Sequence, residues 1–144
     1  DDQSLVPEPM DERGSRDMAH KALGNAAYLS PRDLGITYAL KPKETAGGKD
    51  YTVLEQTLAD GHKVLFFLDP ETHLPHKLAT RTLGPTGAEA DAETFLSDYR
   101  EFCGALVATA SRTLLDGKEV QRLFVAGVTC NNRLEDALFE LRTK

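Results

Sequence analysis

The sequence predicts an α+β fold: an N-terminal helix, a curved antiparallel β-meander and a short C-terminal helix, built as one domain. Three observations carry that prediction. Asp60-Gly61 and Asp116-Gly117 are tight-turn dipeptides set between strand-length apolar runs. Turn signals recur at short intervals from Gly35 onward. Helical spacing of apolar residues is confined to the two ends of the chain.

Residues 1–34 read as a tail followed by a helix. The first nine residues are polar and hold two prolines. From Met10 to Tyr28, Met18, Ala22, Leu23 and Ala26 recur at helical spacing. Gly14 and Gly24 weaken that helix by about 1 kcal/mol each relative to Ala. Ser30-Pro31 stops it.

Residues 35–144 read as the sheet with its closing helix. Strands are expected at 35–41, 51–59, 63–69, 76–83, 93–101, 105–115 and 118–129, with 44–50 and 84–91 as loops. Pro70 presets φ in the turn before His73. Asn131-Asn132 can cap a helix over 133–141, whose apolar side is Leu134, Ala137, Leu138 and Leu141. Seven consecutive strands form a sheet large enough to curl through its own twist.

The turns fix candidate registers. With Asp60-Gly61 as a two-residue turn, Leu58 faces Lys63, Gln56 faces Leu65 and Leu54 faces Phe67. Val53, Thr57, Val64, Phe66 and Leu68 take the other side. Both faces then carry large apolar groups, so each needs a cover. A core closed by its own chain would provide one. A curved sheet cupping an apolar ligand is the alternative. With Asp116-Gly117 as the second two-residue turn, Leu115 faces Lys118, and counting outward sets Cys103 opposite Cys130. That placement permits a disulfide, which would imply an oxidising compartment such as a periplasm.

Composition excludes several function classes. The chain has 144 residues, 40% hydrophobic and 28% charged, a globular balance. A formal net charge of −6 disfavours nucleic acid and anionic membrane surfaces as partners. There is no Trp, and no apolar run approaches the ~20 residues of a membrane span. Asp69, Glu71, His73 and His76 are metal-ligand types, but their spacing in a proline-containing turn fits no zinc pattern. No Gly-x-Ser-x-Gly elbow occurs, and Cys103 has no local signature of a nucleophile with its base. Gly47-Gly48 lacks the Lys-Ser/Thr of a phosphate loop. No enzyme and no cofactor is expected.

The order of segments adds a family resemblance. Gly61-His-Lys-Val-Leu-Phe-Phe-Leu-Asp-Pro-Glu-Thr-His-Leu-Pro75 resembles the strand–turn–strand of bacterial LolA-like outer-membrane lipoprotein-sorting domains. Glu93 to Gly104, Leu115-Asp-Gly-Lys-Glu-Val-Gln121 and Val128 to Phe139 are similar to their later strand, hairpin and closing segment. The resemblance covers roughly residues 35–140. It implies a half-barrel-like sheet with helices on its concave side, a bacterial periplasm or cell-envelope location, and an apolar cavity that takes acyl chains. The family usually has further strands before the first helix, so this chain reads as lacking the N-terminal strands. Phe102 to Ala108 departs from the family's Gly-x-x-x-Pro, and the cysteines are additions.

The expected function is a non-catalytic envelope module holding an apolar ligand, such as a lipoprotein acyl chain or lipid. Its candidate lining is Leu54, Leu65, Phe67, Leu78, Phe95 and Phe124. The alternative is an assembly domain that completes its sheet at an open edge, with a partner or as a homodimer.

Overall fold

The computed structural model describes residues 10–23 and 30–130. The expected tail and the helix over 133–141 lie outside the described residues. One helix, α1 (Glu12–Leu23), precedes seven strands: β1 (Thr37–Ala46), β2 (Lys49–Thr57), β3 (Lys63–Leu68), β4 (Pro75–Leu83), β5 (Glu89–Phe102), β6 (Ala105–Leu115) and β7 (Lys118–Phe124). They form one antiparallel sheet in chain order, open at β1 and β7. This is the α+β meander that the sequence predicts, an open half-barrel-like sheet with a helix at its N-terminal side.

Turn chemistry sets the strand limits. Gly47-Gly48, Cys103-Gly104 and Asp116-Gly117 each have positive φ at both positions. They join Ala46 to Lys49, Phe102 to Ala105 and Leu115 to Lys118 as two-residue turns. Positive φ at both central positions matches the right-handed twist of the flanking strands. The segment expected as a loop over 44–50 is therefore strand up to its two glycines. In the same way β5 reaches back to Glu89, into the expected second loop. β7 ends at Phe124, earlier than the expected 129.

Asp60-Gly61 closes differently. Only Gly61 has positive φ, and Leu58 exchanges backbone hydrogen bonds with His62 and Gly61. The turn thus holds three residues, with a left-handed Gly last. The register moves by one: Val53 pairs with Phe67, Leu54 with Phe66 and Gln56 with Val64. The expected pairing of Leu54 with Phe67 is corrected, because a one-residue slip sends every side chain to the opposite face.

The first face carries the cross-strand row Leu40, Leu54, Phe66, Leu78, Thr94 and Thr113. The second carries Lys41, Val53, Phe67, Lys77, Phe95, Arg112 and Arg122. Tyr51, Val53 and Phe67 are buried on this second face, with Leu65 and Ala79 packed against them. Nothing layered covers them among the described residues; charged side chains do. The Lys77 ammonium lies 4.0 Å from the centre of the Phe67 ring, and Arg112 sits over Phe95. Lys77 also pairs with Glu93 at 3.1 Å, and Glu55 bridges Lys41 and Lys63. Long aliphatic stems shelter the apolar groups while their charged ends stay wet. The sequence-level expectation that both faces need a second layer overlooked this cover.

Candidate functional site

α1 lies on the first face, against β4 and the β2–β3 turn. Asp11 caps it, accepting from the Gly14 amide at 2.7 Å, so the orphan donors of the first turn find a partner. No residue of α1 is fully buried. The partly sheltered residues are Gly14, Asp17, His20 and Leu23, one helical turn apart. The expected apolar stripe is corrected here: Met18 and Ala22 are exposed, and Ala26 lies outside the described residues. Asp17 and His20 win the inward positions because the sheet offers them hydrogen-bond partners.

Those partners form a polar cluster. The Thr82 hydroxyl and the Leu83 amide donate to Asp17 Oδ1. Burial alone would raise the Asp17 carboxyl, but donation from Lys21, Thr82 and Leu83 outweighs it and holds the group below its ordinary value. His20 Nε2 lies 2.7 Å from Asp60 Oδ2, and its ring stacks on His62 with centroids 4.1 Å apart. The His20 hydrogen bond, then the His62 amide, holds Asp60 low. Burial, joined by the charge of His20, holds His62 below the ordinary imidazole range. Arg13, Arg16, Arg81 and Glu89 join these residues around a cleft of about 310 Å³.

Deeper under the helix the lining turns apolar. Leu23, Leu58, Val64, Phe66 and Leu78 bound a cleft of about 210 Å³, with Gln56 and Thr80 beside them. Phe66 also lines a second cleft of about 360 Å³, with Tyr38, Leu54, Leu68, His73 and Pro75. Phe66 is thus the shared wall of two adjoining hollows. Taken together they reach the size of small-ligand sites, roughly 300–1,000 Å³.

The six sequence-chosen lining residues do not share a surface. Leu54 and Leu78 border the clefts on the helix face. Leu65, Phe67 and Phe95 stand on the opposite face, beneath the charged cover. Phe124 is also on that face, at the edge strand, and is 72% exposed. The one-residue register shift takes Leu54 away from Leu65 and Phe67, and the β3–β4 and β4–β5 registers set Leu78 on the face opposite Phe67 and Phe95. The same shift hid Phe66 and Val64, which a three-residue reading of the Asp60 turn would have aligned with Leu54 and Leu78.

The cysteines are joined as expected. Cys103 and Cys130 form a disulfide with Cα atoms 6.5 Å apart, tying the β5–β6 turn to the segment after β7. The Asp69 to His76 segment serves the sheet. The Asp69 carboxylate accepts from the Thr72 and Glu71 amides and from Lys49, which holds it far below its ordinary value. His76 stacks on Tyr51. Among the described residues no three His, Cys, Asp or Glu side chains are grouped to hold a metal ion. No described helix is long and apolar enough to cross a membrane.

No protein-family model and no curated protein sequence matches the chain. Solved structures do. The chain is similar to a LolA superfamily protein from Nitrosomonas europaea, with 19% identity and a TM-score of 0.45 over 74% of this chain and 49% of that one. It is similar to an outer membrane lipoprotein-sorting protein domain from Vibrio parahaemolyticus, with 19% identity and a TM-score of 0.44 over 66% and 44%. A DUF1329 family protein from Desulfovibrio piger is similar at 20% identity and a TM-score of 0.43, over 73% and 45%. The chain spans less than half the length of each.

Proposed function

We propose that this chain is a non-catalytic cell-envelope module that holds an apolar ligand, such as a lipid or a lipoprotein acyl chain, on the helix face of its sheet. One observation carries the reading. Leu54, Phe66 and Leu78 stand side by side on adjacent strands, and they border two adjoining clefts that, among the described residues, α1 covers at only one end. The ligand needs no cofactor, because burial of apolar surface supplies the driving force. The Cys103–Cys130 bridge supports an oxidising compartment, such as a bacterial periplasm. The resemblance of the segments within roughly residues 35–140 to LolA-like lipoprotein-sorting domains implies a lipoprotein or lipid rather than another apolar partner.

The test is mass spectrometry of protein purified without detergent, first native and then denatured. A co-purifying acyl or lipid mass is expected. An apo mass, together with no uptake of a fluorescent fatty acid, would overturn the reading.

A second reading is edge-strand assembly. Every residue of β1 and β7 is exposed, and β7 presents Val120, Leu123 and Phe124 to solvent. Open edges pair with further strands. This reading predicts a dimer whose mass responds to charge placed on β7, and a strict monomer at high concentration would reject it.

A further inference from the structure

The helix is fastened to the sheet mainly by polar groups, and two of them are imidazoles in face-to-face contact. The His20 and His62 rings are inclined by 22°, and each has its own anchor. His20 Nε2 reaches Asp60. His62 Nε2 lies 2.8 Å from the Thr80 hydroxyl, which is also 2.7 Å from the Lys63 carbonyl. A carbonyl can only accept, so the Thr80 proton goes to Lys63 and His62 donates from Nε2. Neutral His62 then carries its proton on Nε2 and takes up a second one at Nδ1.

We infer that the His20–His62 pair is a proton-operated latch for α1. With His62 neutral, the stack holds the helix on the sheet; protonation of His62 releases the helix and uncovers the cleft lined by Leu58, Val64, Phe66 and Leu78.

The surrounding charges support this direction. Asp60 is already engaged by His20 Nε2 and the His62 amide. Asp17 is occupied by Lys21, Thr82 and Leu83, and Glu89 lies between Arg13 and Arg81. Arg13, Arg16 and Arg81 line the adjoining cleft and add positive charge. Among the described residues of α1, Leu23 packs on the Ile36–Leu58 pair, near the helix's last turn.

The sign follows from linkage. His62 is held low in the docked state by burial and by His20. The released state therefore binds the proton more tightly. Docking is fully favoured above the ordinary imidazole value near 6.5 and is lost as pH falls below it, through the lowered docked value. Asp60 and Asp17 are themselves held low, so their contacts persist until more acidic pH. Each pH unit through the window multiplies the released-to-docked ratio by up to about tenfold per proton taken up.

The experiment is NMR on the full chain from about pH 8 to about pH 4.5, a range that crosses the ordinary imidazole value and stays above the ordinary carboxylate values. The readouts are the histidine ring shifts and the methyl contact between Leu23 and the Ile36–Leu58 pair. The expected result is loss of that contact with the same midpoint as His62 ionisation. His62→Phe keeps a stacked ring without its charge and should hold the contact to the acid end, while His20→Phe leaves His62 buried but removes the charge of His20, and should shift the midpoint. A contact that persists once His62 is ionised would overturn the latch, as would an unchanged midpoint in both variants. Should either variant fail to fold, the wild-type titration decides alone. No ligand enters this measurement, so its result stands apart from whether the cleft takes a lipid.

Discussion

Asp17 on α1 and Thr82 on β4 are joined by a hydrogen bond of 2.7 Å across 65 residues of chain. The same carboxylate accepts from the Leu83 amide, so one side chain fixes where the helix meets the sheet. Asp17→Ala should lower stability by about 1.5–3 kcal/mol, the usual range for hydrogen bonds to a charged group. Asp17→Asn keeps an acceptor and should lose less. Urea midpoints measure both, and an unchanged midpoint for Asp17→Ala would show that the helix docks without this contact.

The disulfide offers a larger effect. Cys103 and Cys130 are 27 residues apart, and closing such a loop removes chain entropy worth about 3.5 kcal/mol in the unfolded state. Denaturation with and without reductant should differ by a large part of that amount. Equal midpoints would mean that residual structure restricts the reduced, unfolded chain as much as the bridge does.

Phe67 and Phe124 share a residue type and a sheet face, but not an environment. Phe67 is buried among Tyr51 and Val53 beneath Lys77, whereas Phe124 is on the edge strand and largely exposed. Phe67→Ala should cost about 3 kcal/mol, the low end for a core phenylalanine. Phe124→Ala should stay within about 0.5 kcal/mol, as surface changes do. Matching thermal shifts for the two would contradict the packing.

The two faces can be told apart by binding. Leu78→Asn places an amide in the cleft and should weaken uptake of a fluorescent fatty acid about tenfold, which is about 1.4 kcal/mol. Leu65→Asn, on the opposite face, should leave uptake unchanged in whatever fraction remains folded. Equal losses from both would remove the helix face as the binding surface.

Much of the sheet was legible, because local chemistry sets two-residue turns. Asp116-Gly117 has positive φ at both positions, and the count outward from it set Cys103 and Cys130 at one end of the sheet, although a bulge between Thr113 and Leu114 shifts that register by one before it reaches them. Asp60-Gly61 presents the same letters yet closes a three-residue turn, and no local signal in the dipeptide separates the two. That single residue moved Phe67 away from Leu54 and brought in Phe66. The histidine contact was not legible at all. His20 and His62 meet only because the helix docks on β4 and the β2–β3 turn, a relationship of tertiary packing rather than of spacing. The charged cover over Phe67 was hidden for a similar reason. Lys77 and Glu93 read as surface charge until the register sets them beside an aromatic ring.

Strict nearest-neighbour pairing from β1 to β7 has a consequence for how the molecule comes apart. Each strand is held by the one before and the one after, much as units stack in a solenoid. Cooperativity then runs along one dimension. Amide exchange should be slowest near β3, β4 and β5 and quicken toward both margins, with the β7 margin slowed by its covalent tie. Damage at a margin peels one ribbon from the sheet and leaves the centre intact.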